Sequence, residues 1–165
     1  MPSFATTRRV RHSPENMFAL VADVERYPEF VPLCEALRVE RRRMDGDAEV
    51  IDAAMTVSYK FIRESFWSRA RLDRANLRIL VEYVDGPVRN LQNRWAFRTA
   101  DGGCDVDFHI AYEFQSRLFQ TVAGAVFDKA FRKFAEAFEA RADALYGAGV
   151  KPANPAAPPT YPGEV

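Results

Sequence analysis

The pattern that most constrains this chain is a change of hydrophobic period. Between residues 37 and 114 apolar residues recur at every second position in successive runs; from 117 to 146 they recur at three and four. A period of two places side chains on one face of a strand, and a period near 3.6 gathers them on one stripe of a helix. Leu37 and Val39 oppose Arg38, Glu40 and Arg42, and Ile51, Ala53, Met55 and Val57 alternate next. Ile62, Phe66, Ala70 and Leu72 oppose Arg63, Arg69 and Arg71. Two further runs follow, Leu77, Ile79, Val81, Tyr83 and then Leu91, Asn93, Trp95, Phe97. The cleanest run sets Cys104, Val106, Phe108, Ile110, Tyr112 and Phe114 against Asp105, Asp107, His109 and Glu113. Asp45-Gly46-Asp47, Asp85-Gly86-Pro87 and Asp101-Gly102-Gly103 separate runs and read as tight turns; Asn76 opens another. Strands joined this way are antiparallel.

In the last segment Phe127, Phe131, Phe134 and Phe138 are spaced by four, three and four, with Leu145 seven further on. Ser116 is placed to cap a single helix from Arg117 to Tyr146, and Gly147 to stop it. At the other end, Ala5 to Arg11 reads as a short polar strand. Ser13-Pro14-Glu15 then supplies a hydroxyl cap, a proline at the first helical position and an acid at the positive end of the dipole. Met17, Phe18, Leu20, Val21 and Val24 continue at helical spacing, and Pro28 and Pro32 bracket a second short turn. The order is strand, two short helices, six strands, long helix. A sheet with one apolar face needs a cover. Only the terminal helix is large enough, so the expected fold is α+β: a curved antiparallel sheet of about seven strands wrapped around that helix. Leu118 to Phe127 is apolar almost all round, and Ala123-Gly124-Ala125 puts three small residues mid-helix. These fit either close packing of helix on sheet or a space left for a ligand.

The 165 residues carry 23 basic and 23 acidic side chains, and 48% are hydrophobic. A disordered chain would need less apolar content and more net charge. Zero net charge excludes nucleic-acid binding driven by bulk charge and leaves room for a local basic patch. No apolar run approaches the roughly 20 residues of a membrane-spanning helix, and the start, MPSFATTRRVRHS, has no apolar core of a secretory signal. A cytoplasmic location follows as the expectation, and a carrier of lipid would in addition touch the inner membrane from that side. Cys34 and Cys104 fit no metal spacing and read as two reduced thiols. From Gly147 to Val165 the chain holds five prolines and almost no large aliphatics, which reads as a flexible tail following a domain of residues 1–146.

Few constellations suggest chemistry. Asp105, Asp107 and His109 are two residues apart on a strand, nearly 7 Å each, and do not converge on one ion. His12 has no nucleophile beside it in sequence. No Gly-rich phosphate loop, nucleophile elbow or zinc pattern occurs, so no catalytic residue, metal or catalytic cofactor is expected. Arg38, Arg41, Arg42 and Arg43 form the densest basic run. It suits anionic lipid head groups, RNA phosphates or plain solvation.

The block Val21-Ala22-Asp23-Val24-Glu25-Arg26-Tyr27-Pro28-Glu29-Phe30-Val31-Pro32-Leu33-Cys34 resembles the signature of the coenzyme Q-binding protein family, within the START-like, polyketide cyclase-related superfamily. Phe66-Trp67-Ser68-Arg69, Asp85-Gly86-Pro87, Leu91 to Phe97 and Ala137-Phe138-Glu139-Ala140-Arg141 match further along, so the resemblance spans about residues 3–146. It implies a helix-grip fold with a hydrophobic tunnel, and non-enzymatic binding of ubiquinone or a similar polyprenyl lipid in support of respiratory electron transport and quinone biosynthesis. A bacterial sister branch is described as a ribosome-association toxin that binds the large subunit, and the superfamily contains polyketide aromatase/cyclases; both stand as alternatives. Oligomeric state is left open. Burying an isoprenoid tail contributes about 0.8 kcal/mol per methylene, nearly what a bilayer offers, as a reversible carrier requires. On this reading Phe66, Trp95, Phe97, Phe108, Tyr112, Val122, Val126 and Phe127 line the tunnel, and Tyr27, Phe30, Val31 and Leu33 belong to its mouth.

Overall fold

The computed structural model describes residues 3–147. Seven strands form one sheet: β1 (Ser3–Val10), β2 (Cys34–Asp45), β3 (Ala48–Tyr59), β4 (Ile62–Asp73), β5 (Arg78–Asp85), β6 (Val88–Ala100) and β7 (Gly103–Phe114). Their spatial order is β1-β7-β6-β5-β4-β3-β2, and every pairing is antiparallel. Helix α1 (Pro14–Ala22) and a 3-10 helix (Val24–Glu29) connect β1 to β2; α2 (Arg117–Arg132) and α3 (Phe134–Tyr146) follow β7. The helix-grip architecture expected from the periodicity is present.

Local chemistry sets the boundaries. Ser13 accepts a hydrogen bond from the Asn16 N–H at 3.1 Å with Pro14 at the first helical position, and Ser116 accepts from the Phe119 N–H at 3.2 Å. Gly147, at φ 93°, donates its N–H to Asp143 O at 3.0 Å and ends α3 in a conformation that disfavours larger residues. β1 begins two residues earlier than its polarity suggests, because Ser3 and Phe4 pair with Ala111 and Ile110 of β7. β2 begins at Cys34, three residues before Leu37.

Two expectations are corrected. The terminal helix is not one rod but breaks at Lys133. The Lys133 N–H reaches back to Ala130 O at 3.0 Å, a tight i to i−3 turn, and the α-pattern resumes with Ala137 N–H on Lys133 O. The break separates a half that packs on Phe66 and Phe114 from a half that packs on Trp95. No proline or glycine marks it. In β2, a register shift between Val39 and Arg41 breaks the alternation. Arg42 thereby pairs across from inward-facing Ile51 and meets Glu25 of the 3-10 helix at 2.8 Å, while Arg41 and Arg43 take the outer face. One extra residue in an edge strand has this effect.

The core is a run of aromatic contacts between sheet and helices. Trp95 packs on Phe108, Phe97 and Phe138; Phe18 of α1 meets Phe97; Tyr112 meets Phe131. Sheet and C-terminal helices are further clamped by buried His12, whose Nε2 lies 2.6 Å from Asp143 Oδ1. The predicted tail, apart from Gly147, lies outside the described residues.

Candidate functional site

Sheet and helices do not meet flush everywhere. Between them lies an apolar cavity of about 130 Å³. The inward faces of β3 and β4 supply Ile51, Ala53, Met55, Val57, Phe66, Ser68 and Ala70 to its wall. Val81, Leu91, Asn93, Trp95 and Ile110 continue it across β5, β6 and β7, with Leu37 at the edge in β2. Phe127, Ala130, Phe131, Phe134 and Phe138 close it from the helices, and Val24, Tyr27, Pro32 and Leu33 from the connection before β2. Ala130 is the small residue that leaves room between Phe127 and Phe134.

Polar groups in the wall are few. The Asn93 amide donates to His109 O at 2.9 Å and its carbonyl accepts from the Trp95 indole at 2.8 Å, so both ends are occupied. The Tyr27 hydroxyl donates to Val21 O, and burial pushes its pKa well above the ordinary phenol value. Ser68 contributes the remaining side-chain hydroxyl. The wall contains no carboxylate, imidazole, amine or thiol. Such a surface sequesters apolar groups; it offers no acid–base pair for proton transfer.

Of the residues expected to line a tunnel, Tyr27, Leu33, Phe66, Trp95 and Phe127 are in the cavity wall. The others are placed elsewhere. Phe97 is buried against Phe18 of α1, and Phe108 against Phe4 and Phe134. Tyr112 sits between Phe114 and Phe131. Phe30 packs on Phe138 at 5.0 Å under the Arg141 guanidinium, and Val31 is buried in the core. Val122 is exposed and Val126 half-buried, both off the wall, because the inward stripe of α2 is Ala123, Phe127, Ala130 and Phe131. The wall residues of β3 went unassigned, although Ile51, Ala53, Met55 and Val57 form a plain alternating run.

In the basic run, Arg38 pairs with Glu40, Arg42 with Glu25 and Glu49, and Arg43 with Asp52; Arg41 has no ion pair among the described residues. Among the described residues no cluster of His, Cys, Asp or Glu could hold a metal, and no helix is long and apolar enough to cross a membrane.

A curved antiparallel sheet gripping C-terminal helices around an apolar cavity defines a START-like fold. The chain belongs to the polyketide cyclase/dehydrase and lipid transport family, whose model matches residues 10–139. It is 34% identical over 149 residues, 90% of this chain and 91% of the relative, to the ribosome association toxin RatA of Escherichia coli K12. It is 31% identical over 124 residues to the mitochondrial coenzyme Q-binding protein COQ10 of Drosophila melanogaster, covering 72% of this chain and 49% of that one. Among solved structures, an 18 kDa protein from Caulobacter crescentus is 36% identical, with 90% of this chain and all of that one covered, at a TM-score of 0.73.

Proposed function

We propose that this protein is a non-catalytic binding protein that associates with ribosomes. The observation that carries this reading is the 34% identity to RatA across nine-tenths of both chains, against a match to COQ10 that spans half of that protein. The contact is electrostatic: Arg41, without an ion pair among the described residues, meets RNA phosphates directly, and Arg38, Arg42 and Arg43 exchange their carboxylate partners for them. Exposed ion pairs contribute only about 0–1 kcal/mol each, so a phosphate can replace a carboxylate at little cost. Ribosome sedimentation tests the reading. The protein is expected in the ribosomal pellet at low salt and in the supernatant at high salt, because each phosphate contact releases counterions. Protein that stays in the supernatant at every salt concentration overturns it.

The cavity supports a second reading, an apolar ligand of the quinone or prenyl class. A dry apolar space near 150 Å³ holds a benzene-sized molecule. About 130 Å³ therefore takes one ring or one isoprene unit, and a long polyprenyl tail would have to extend outside it. Organic extraction of the purified protein followed by mass spectrometry is expected to yield a prenylated ring compound; an empty protein removes this reading and leaves the ribosomal one standing.

A further inference from the structure

We infer that the outer face of the sheet carries a track for a single RNA strand, a row of basic residues that crosses all seven strands and binds the phosphates of the backbone. The inference deepens the ribosomal reading and rests on it for the partner.

The row follows from the strand register. Arg43 pairs with Val50, Val50 with Arg71, and Arg71 with Leu80. Leu80 pairs with Arg94, Arg94 with His109, and His109 with Ala5. Ile51, Ala70, Val81, Trp95 and Ile110 face the cavity. Each row residue from β3 to β7 is the chain neighbour of one of these, so the row points the other way. Strands lie about 4.8 Å apart, so a row across the sheet is roughly 29 Å long. It holds three guanidiniums and an imidazole, spaced by Val50 and Leu80, and no carboxylate. Arg94 has no ion pair among the described residues; Arg71 is held by Asp45 at 2.6 Å and Arg43 by Asp52 at 3.2 Å. On this face a groove of about 750 Å³ runs from β4 to β1, with Arg71, Leu80, Arg94 and His109 in its wall.

The rows on either side are built differently. One runs Asp73, Arg78, Ala96, Asp107 and Thr7; the other runs Arg41, Asp52, Arg69, Glu82, Gln92 and Ala111. Their carboxylates are engaged where they stand. Arg98 and Thr7 hold Asp107, Asn76 holds Asp73, and Arg69 holds Asp52 and faces Glu82. Acids on both sides bound a stripe of positive charge one residue wide. A linear polyanion fits such a stripe, because opposite charges attract along it and like charges repel beside it. A bilayer presents head groups in two dimensions and would meet the flanking acids as well. No Phe, Tyr or Trp stands on the row, so it offers bases no stacking platform. It therefore holds the backbone and does not read sequence. Arg43 belongs to the basic run already assigned to the ribosomal contact, and the row extends that contact across the sheet.

The test is fluorescence anisotropy of a short labelled polyuridine with the full chain over a range of salt concentrations. The wild-type protein is expected to bind at low salt and to release the RNA as salt rises. Arg94→Gln and Arg71→Gln, both at exposed positions, are each expected to reduce the slope of log affinity against log salt by about 0.7, the share of one phosphate contact on a single strand. Arg94→Lys keeps the charge and is expected to keep the slope. Arg117→Gln is the control for loss of a positive charge, because Arg117 is exposed on α2, off the sheet, and is expected to behave as wild type. The track is overturned if polyuridine is not bound at low salt, if the two row variants keep the wild-type slope, or if Arg117→Gln loses as much. Ribosome sedimentation of the same proteins separates the two readings. Binding of polyuridine through the row by a protein that never sediments supports the track and removes the ribosomal reading. Sedimentation of wild type and both row variants alike, at every salt concentration, removes the track and leaves the ribosomal reading standing.

Discussion

At the scale of single residues, burial decides which groups are reactive. Burial pushes the Cys34 thiol up to about 11 and the Cys104 thiol up to about 12, from an ordinary 9.0. Both therefore hold their protons at neutral pH, and only a thiolate attacks a disulfide reagent. An aromatic disulfide reagent at pH 8 is expected to label neither cysteine in the folded protein and both after denaturation. Linkage gives the companion effect. Each thiol binds its proton more tightly when folded, so the stability it contributes is complete below the unfolded pKa and is lost as pH rises from about 9 toward 11 and 12. Denaturant midpoints measured across pH 8 to 12 are expected to fall through that window. A midpoint that rises there contradicts the assignment. Asn93 is the other residue with large leverage. Asn93→Ala would strip the Trp95 indole and the His109 carbonyl of their partners. Leaving buried polar groups unsatisfied is expected to cost about 1–3 kcal/mol, read from chemical denaturation.

At the scale of elements, caps and spacing explain most of the fold, and a prediction follows from them. Ser13 satisfies an N–H at the start of α1, whose Met17 and Phe18 are almost completely buried. Ser13→Ala is expected to lower stability by about 1 kcal/mol, and Ser13→Asp to restore most of it, by denaturant titration. Those caps were legible in the sequence, as were the turns at Gly46, Gly86 and Gly102 and the two-residue alternation of six strands. Two features were not. The break at Lys133 lies between good helix formers and arises from tertiary packing, which local residue types do not encode. The bulge at Val39–Arg41 moves Arg42 to the other face, and a pattern argument that assumes strict alternation has no means of placing one extra residue. The cavity was partly legible for the same reason. Of the residues on inward strand faces, Phe66 and Trp95 line the cavity, whereas Phe97, Phe108 and Tyr112 are covered by the rings of Phe18, Phe134 and Phe131. Val122 and Val126 lie off the wall, and their side could not be read because Leu118 to Phe127 is apolar nearly all round and gives no phase. The inward side of α2 is set by which residues face Phe66 and Phe114.

At the scale of the whole molecule, the two ends of the grip differ. One end is tied: the last residue of β1, Val10, pairs with Cys104 at the start of β7, His12 meets Asp143, and the Tyr146 hydroxyl reaches Asn16 O at 3.5 Å. At the other, Phe61 and Leu118 lie exposed. A ligand that enters between them binds the folded chain alone, so it stabilises the fold by about 2.7 kcal/mol at a hundredfold excess over Kd, and the melting midpoint rises with its concentration. A compact aromatic probe such as benzene, which matches the one-ring capacity of the cavity, tests this without knowledge of the natural ligand. The protein is expected to melt at a higher temperature in saturating benzene. Ala130→Phe places a ring in the gap between Phe127 and Phe134 and fills that space. Overpacking is expected to cost about 1–3 kcal/mol, which a melt in the absence of probe separates from any ligand effect. The substituted protein is expected to lose the probe-dependent shift altogether. An equal shift in both proteins would place the probe outside the cavity, and with it the apolar ligand proposed for the space between sheet and helix.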